Sequence, residues 1–262
     1  DVTETLLRGE TVLHRCTAAL PVGADVTGEI DWARRLDLMQ QHSGEHLVSG
    51  LIHARFGYEN VGFHLGADLV TIDFNGEVDE QALQELERAA NEAVWADFAP
   101  HIWYPEPDEL AHLPYRSKKA LTGAVRLVQF GDIDLCACCG THVETSGQVG
   151  LAKFIGWQRF RDGVRLEVLF GQRALDYLAL SWQQNSAIGR ELSVKPDATH
   201  AAVTRLKEEL SAVKQRCDAL ETEHFASLAA QYDGAGDVLL VQPPMESDAA
   251  RRLCDMTAAR CG

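Results

Sequence analysis

The chain has 262 residues, with 24 Lys and Arg against 39 Asp and Glu for a net charge of −15, and 46% of its residues are hydrophobic. That length supports a well-buried core in one or two domains, and the sequence holds no run of about 18 apolar residues of the kind that spans a membrane. Seven cysteines, an odd number with three crowded at 136, 138 and 139, fit a reducing cytoplasm and a metal or reactive site better than a disulfide framework.

Taken whole, the charge argues against a nucleic-acid partner, because affinity for phosphate backbones rests on Lys and Arg. The distribution argues differently. Residues 115–173 carry nine Lys and Arg against five acids, a net +4 that leaves −19 for the remainder. A basic window on an acidic chain suits a polyanion docking at one place, although a solvated face looks the same in sequence.

The opening DVTETLLRGE has no basic stretch followed by an apolar one, so it reads as a cut end rather than a secretory leader. Residues 1–30 alternate apolar and polar residues around glycines, which predicts the last strands of a truncated β unit. From Asp31 the spacing predicts a helix, with Asp31 as N-cap and Gly57 as stop. VGFHLGADLVTIDFNG then predicts a hairpin turning at Gly66 to Asp68. A second amphipathic helix follows, with Leu83, Leu86, Ala90 and Val94 on its apolar stripe. Residues 100–114 read as proline-rich connection and strand. AVRLVQF, QVGLAKFIGWQRF and VRLEVLFG are three further strands. The order predicts an α+β fold, an antiparallel sheet with helices packed on one side around a metal-containing cleft.

Beyond Gly171 the pattern becomes helical, with a helix through LDYLALSWQQNSAIGREL that ends near the break at Lys195-Pro196. Val203, Leu206, Leu210, Val213, Cys217, Leu220 and His224 recur at steps of three and four, the seam of a coiled coil or of an amphipathic surface helix. The final stretch, from 231, reads as one strand and one helix of an α/β unit that stops before its core closes.

Two constellations carry chemistry. In QHSGEHL, His42 and His46 stand four apart on the first helix and share one face, so both imidazoles reach one metal ion. Read instead as H-x-x-E-H, the stretch is an inverted zincin signature with Glu45 as general base, a protease reading that leaves no use for the second constellation. That is CACCGTHV, where Cys138 and His142 flank a turn permitted by Gly140. A helix and a turn with two ligands each make a tetrahedral zinc site of His42, His46, Cys138 and His142. Cys136 and Cys139 are alternatives to Cys138 by spacing alone, and His53, His64, His101 and His112 are weaker candidates.

His42-Ser-Gly-Glu-His46, followed about 90 residues later by Cys138-Cys-Gly-Thr-His142, resembles the editing domain shared by alanyl- and threonyl-tRNA synthetases. It is similar above all to the freestanding alanyl-tRNA editing proteins of the AlaX family. The resemblance covers residues 31–180 and includes the VGFHLGADLVTIDF hairpin and Tyr115-Arg-Ser-Lys-Lys119. It implies a zinc-dependent hydrolase that removes serine, and glycine as a further substrate, wrongly esterified to the alanine tRNA. A tRNA-binding homologue with structural zinc and a hydrolase acting on Ser-charged threonine tRNA are the alternatives. The resemblance also implies a truncated N-terminal β-barrel before residue 31, a helical linker over 181–230 and the start of a C-terminal dimerisation module over 231–262, hence a homodimer of the full-length protein. Ser43 takes the place of the family's hydroxyl residue and is expected to bond a substrate seryl side chain; Thr141 is expected to orient neighbouring groups. Arg116, Lys118 and Lys119 are the expected phosphate contacts.

Overall fold

The computed structural model of the chain describes residues 1–9, 11–117 and 123–261. They form two units, Asp1–Asp176 and Tyr177–Gly262. The first opens with an exposed antiparallel hairpin, β1 (Val2–Arg8) and β2 (Thr11–Cys16). Helix α1 (Trp32–Phe56) begins where the Asp31 side chain accepts the Arg34 amide. It stops where Gly57 turns left-handed at φ 70° and donates to the His53 carbonyl. Both ends are those the sequence predicts.

Strands β3 (Asn60–Leu65) and β4 (Val70–Phe74) form the expected hairpin, with Gly66 donating to Leu69 across its turn. They continue into β9 (Gly163–Phe170) and β8 (Ala152–Phe160), giving a four-stranded antiparallel sheet in the order β3-β4-β9-β8. Helix α2 (Glu80–Trp95) buries Leu83, Leu86, Ala90 and Val94, the predicted stripe, and is capped by Asp79. A short β5 (His101–Trp103) and a single helical turn, α3 (Pro107–Leu110), lead to β6 (Leu127–Phe130) and β7 (Asp134–Ala137). With β5 these make a separate three-stranded sheet. The α+β class is as expected, but the strands divide among three sheets. The break has a local cause: β7, unmarked in the sequence pattern, pairs with β6 and releases the chain into the Cys138–His142 turn before it reaches β8.

The core is continuous between α1, α2 and the sheets, with Phe74, Phe130 and Phe170 almost fully buried; each such side chain contributes roughly 1.5–3 kcal/mol through burial. Residues 43–50 of α1 are all buried, so the helix has no solvent face there. Close packing requires small residues: a Cβ on Gly44 would sit 2.3 Å from the Phe170 ring. Two amides fasten both helices to one strand pair. Gln41 exchanges two hydrogen bonds with the Phe170 backbone, and Asn91 exchanges two with Ala152. Phe170 and Ala152 are themselves partners in the β8–β9 register, so α1 and α2 grip opposite sides of the same rung. Arg173 closes the end of α1 with a bidentate pair to Asp37 at 2.7 and 2.6 Å.

In the second unit, helix α4, which starts at Gly171 in the first, runs to Glu191. Asn185 donates to the Pro196 carbonyl and accepts from Thr199, fixing the break before α5 (Thr199–Ala229). The heptad residues Leu206, Leu210, Val213 and Leu220 are each more than half exposed. Helix α6 (Ser247–Cys261) packs Ala249 and Leu253 against Phe225 near the end of α5. The strand expected before α6 is absent: residues 238–246 pair with no described strand, and Leu239 and Val241 stay exposed. Without a neighbouring edge an apolar run has nothing to complete its backbone hydrogen bonds as a strand.

Candidate metal centre

The first two donors come from the buried middle of α1. His42 and His46 lie one turn apart with ring centroids 5.1 Å from each other. The other two come from the turn after β7, where Cys138 and His142 face α1. Gly140 allows this approach, because a Cβ there would meet His42 Cε1 at 2.2 Å. The donor atoms of His42, His46, Cys138 and His142 lie within 4.8 Å of one another.

Each imidazole is held from behind. The Nδ1 of His42 bonds the Thr141 carbonyl at 3.1 Å, that of His46 bonds Asp134 Oδ2 at 2.7 Å, and that of His142 bonds Ser43 Oγ at 3.2 Å. A carbonyl or carboxylate behind Nδ1, as at His42 and His46, favours the tautomer that offers Nε2 inward to a metal. Three rings therefore turn the same nitrogen toward one centre. His142 Nε2 is buried with no hydrogen-bond partner, while Cys138 Sγ lies 3.4 Å from His42 Nε2 and accepts the Gly140 amide. A buried polar nitrogen without a partner is costly, and a bound cation is what this arrangement of lone pairs satisfies.

The charges agree. Burial opposes a thiolate at Cys138, but the three imidazoles gathered around the sulfur, His142, His42 and His46, overcome it and pull the pKa down to about 3. Burial also disfavours a charged His46, yet Asp134 and Cys138 raise it to about 10. The centre attracts positive charge. Asp134 is almost fully buried and stays ionised, because hydrogen bonds from His46 and Arg116 outweigh the burial that would protonate it. Cys136 goes the other way: burial, then the nearby Asp134 charge, pushes its thiol up to about 12. His46, Asp134 and Cys136 also lie close together, but a protonated thiol and a carboxylate already engaged by two cations make a poor ligand set.

The remaining expected residues take varied positions. Ser43 is fully buried, and besides His142 it accepts the Val143 amide. The Thr141 side chain is exposed, and it is its carbonyl that braces His42. Arg116 is turned inward, its side chain 10% exposed and its Nε donating to Asp134 at 2.7 Å. Lys118 and Lys119 lie outside the described residues. Cys139 is exposed, and His53, whose ring meets Glu59, stands apart from the cluster, as do His64, His101 and His112. Asp134 behind His46 and Asn60 behind Glu45 escaped sequence reasoning: neither falls in a spacing motif with the residue it holds.

Beside the donors a cavity of about 270 Å³ opens to solvent, with His42, Glu45, His46, Phe63, Arg116 and Cys138 in its wall. Among the described residues no helix is long and apolar enough to cross a membrane. A helical pair and a turn pair of donors meeting on an antiparallel α+β scaffold are the arrangement that the resemblance to synthetase editing domains implies. In agreement, residues 125–166 match the family model for the threonyl and alanyl tRNA synthetase second additional domain, a segment that includes Cys138 and His142. The chain is 26% identical over 219 residues to the alanyl-tRNA editing protein Aarsd1-A of Xenopus laevis, covering 82% of this chain and 53% of that protein. It is 27% identical over 180 residues to the alanyl-tRNA editing protein AlaX-L of Pyrococcus horikoshii, covering 66% and 45%. With the alanine–tRNA ligase of Halobacterium salinarum it shares 31% identity over 247 residues, 90% of this chain and 26% of the ligase. The chain thus spans about half the length of the editing proteins it matches. It is similar to the alanyl-tRNA editing proteins, the family its paired motifs resemble.

Proposed function

We propose that the chain is a zinc-dependent deacylase that hydrolyses serine, and secondarily glycine, from mischarged alanine tRNA in the cytoplasm. The observation that carries this reading is the convergence of three braced imidazoles and one thiolate, with His42, His46 and Cys138 on the wall of an open cavity, in a chain similar to alanyl-tRNA editing proteins. Zinc suits the donors: bonds of about 2.1 Å to nitrogen and 2.3 Å to sulfur set donor separations of about 3.5 Å, and Cys138 Sγ to His42 Nε2 measures 3.4 Å. Bound between His42, His46, Cys138 and His142, zinc supplies a Lewis acid that polarises or orients an acyl group.

The protein's own residues do the positioning. Asp134 holds His46 and is itself held by Arg116, so this pair fixes the buried end of the centre. Ser43, buried behind His142, acts through that ring, as Thr141 acts through His42 by its carbonyl. Lys118 and Lys119 are the proposed phosphate contacts, with Arg116 serving both the cavity wall and Asp134. Residues 1–30 are proposed to help grip the tRNA, and the C-terminal segment to form a homodimer contact.

The test is deacylation of Ser-, Gly- and Ala-charged alanine tRNA, and of Ser-charged threonine tRNA, beside His46→Ala and Cys138→Ala. Loss of the seryl ester with the alanyl ester spared, abolished in both variants, is the expected result. Turnover that survives both substitutions, or preference for the threonine tRNA, would overturn it.

A further inference from the structure

Resting on the deacylase reading, we propose that Glu45 is the group that receives the free α-ammonium of the aminoacyl substrate, and so determines that the site accepts an unblocked amino acid. Glu45 stands on α1 beside His46, is 5% exposed, and lines the cavity next to the four donors. One of its oxygens is fully engaged: Oε1 accepts from Ser49 Oγ at 2.7 Å and from Asn60 Nδ2. Asn60 is in turn fixed, donating to Ser49 Oγ at 2.9 Å and accepting the Gly62 amide at 3.1 Å. The carboxylate is therefore held in one orientation by a strand and by its own helix. Its second oxygen accepts no hydrogen bond from the described residues and is not sealed from solvent.

A carboxylate so deeply set needs a cation or further donors to offset its desolvation. Arg116, the arginine in the cavity wall, has its Nε on Asp134, and the other acid in the wall, Glu59, adds negative charge. The cavity thus offers a fixed anionic acceptor to a small cationic donor. An ammonium has three N–H groups and no acceptor, and it forms charge-assisted bonds with such a carboxylate. In an aminoacyl ester one carbon separates the ammonium from the carbonyl. Gripping the ammonium at Glu45 consequently delivers the carbonyl to the neighbourhood of His42, His46 and Cys138. Serving as an ammonium anchor, Glu45 is neither metal ligand nor general base.

The experiment uses the full chain with its metal and two hydrolysis-resistant probes, 3′-deoxyadenosine bearing a 3′-amide of serine or a 3′-amide of glyceric acid. They differ only in having an amino or a hydroxyl group at the α position. Calorimetry is expected to show the seryl amide bound at least about ten-fold more tightly, the strength of a charge-assisted contact. Glu45→Gln, which keeps the size and an oxygen for Ser49 and Asn60, is expected to bind both probes alike while retaining its metal. Asn60→Ala, which frees the carboxylate, is expected to fall between. Equal affinities in the unaltered protein, or a preference that survives Glu45→Gln, overturn the proposal. So does a Glu45→Gln variant that slows turnover of free and N-acetylated seryl esters equally, the mark of a general base. If Glu45→Gln does not fold, the two-probe comparison on the unaltered chain and Asn60→Ala still decides. A probe preference without turnover of charged tRNA sinks the deacylase reading and leaves the ammonium site standing; turnover without the preference does the reverse.

Discussion

Helices α1 and α5 invert what their sequences advertise. The middle of α1 is the polar run QQHSGEH, yet residues 43–50 have no solvent face. Helix α5 has a regular apolar seam, yet Leu206, Leu210, Val213 and Leu220 are more than half exposed. The difference lies in where partners come from. Three polar side chains of α1 in this stretch meet groups far along the chain, Gln41 the Phe170 backbone, His46 Asp134 and Ser43 the Val143 amide. Buried polar groups are tolerable when each is bonded, and here the bonds come with the chemistry. The α5 seam has periodicity without a described partner, so apolar spacing states a demand for burial and not its fulfilment.

The largest effect that would break the contrast is at the metal centre. His46→Ala or Cys138→Ala should reduce zinc from about one ion per chain to a small fraction of that, because a tetrahedral site with three remaining donors is open and weak. Elemental analysis after gel filtration checks it, and full retention of metal would mean the four donors are not its ligands. Next, Leu47→Ala, at a fully buried position, should cost about 2–5 kcal/mol in urea unfolding monitored on the first unit. Asp134→Asn should weaken zinc affinity about 10–100-fold in chelator competition, through loss of the brace behind His46; an unchanged affinity would remove Asp134 from the site. The smallest effect sharpens the contrast from the other side. Leu210→Ala should change unfolding by under about 0.5 kcal/mol in dilute monomer, and a larger cost that grows with protein concentration would show the seam buried between copies.

The fold was legible wherever the signal is local. Asp31 and Gly57 bound α1 through cap geometry, and Leu83 to Val94 fix the buried face of α2 through spacing alone. The donor set was legible for the same reason, as i,i+4 pairs on a helix and across a turn. Hidden from sequence were the contacts that give those donors their chemistry: Asp134 behind His46, Ser43 behind His142, Asn60 behind Glu45. The first two span about 90 to 100 residues and the third joins helix to strand, so no periodicity marks any of them. The strand expected after residue 237 failed because an apolar run specifies a strand only beside an edge that pairs with it.

The brace on His42 comes from the Thr141 carbonyl, inside the same five residues that supply Cys138 and His142. One short segment therefore sets three of the four corners of the centre, two directly and one by reaching back to α1. A single-residue insertion between Cys138 and His142 would misplace all three together, whereas the same insertion at the tip of the β8–β9 hairpin would disturb none. Tolerance to length change in this protein is thus not a matter of loop against core: its least forgiving stretch is a surface-reaching turn.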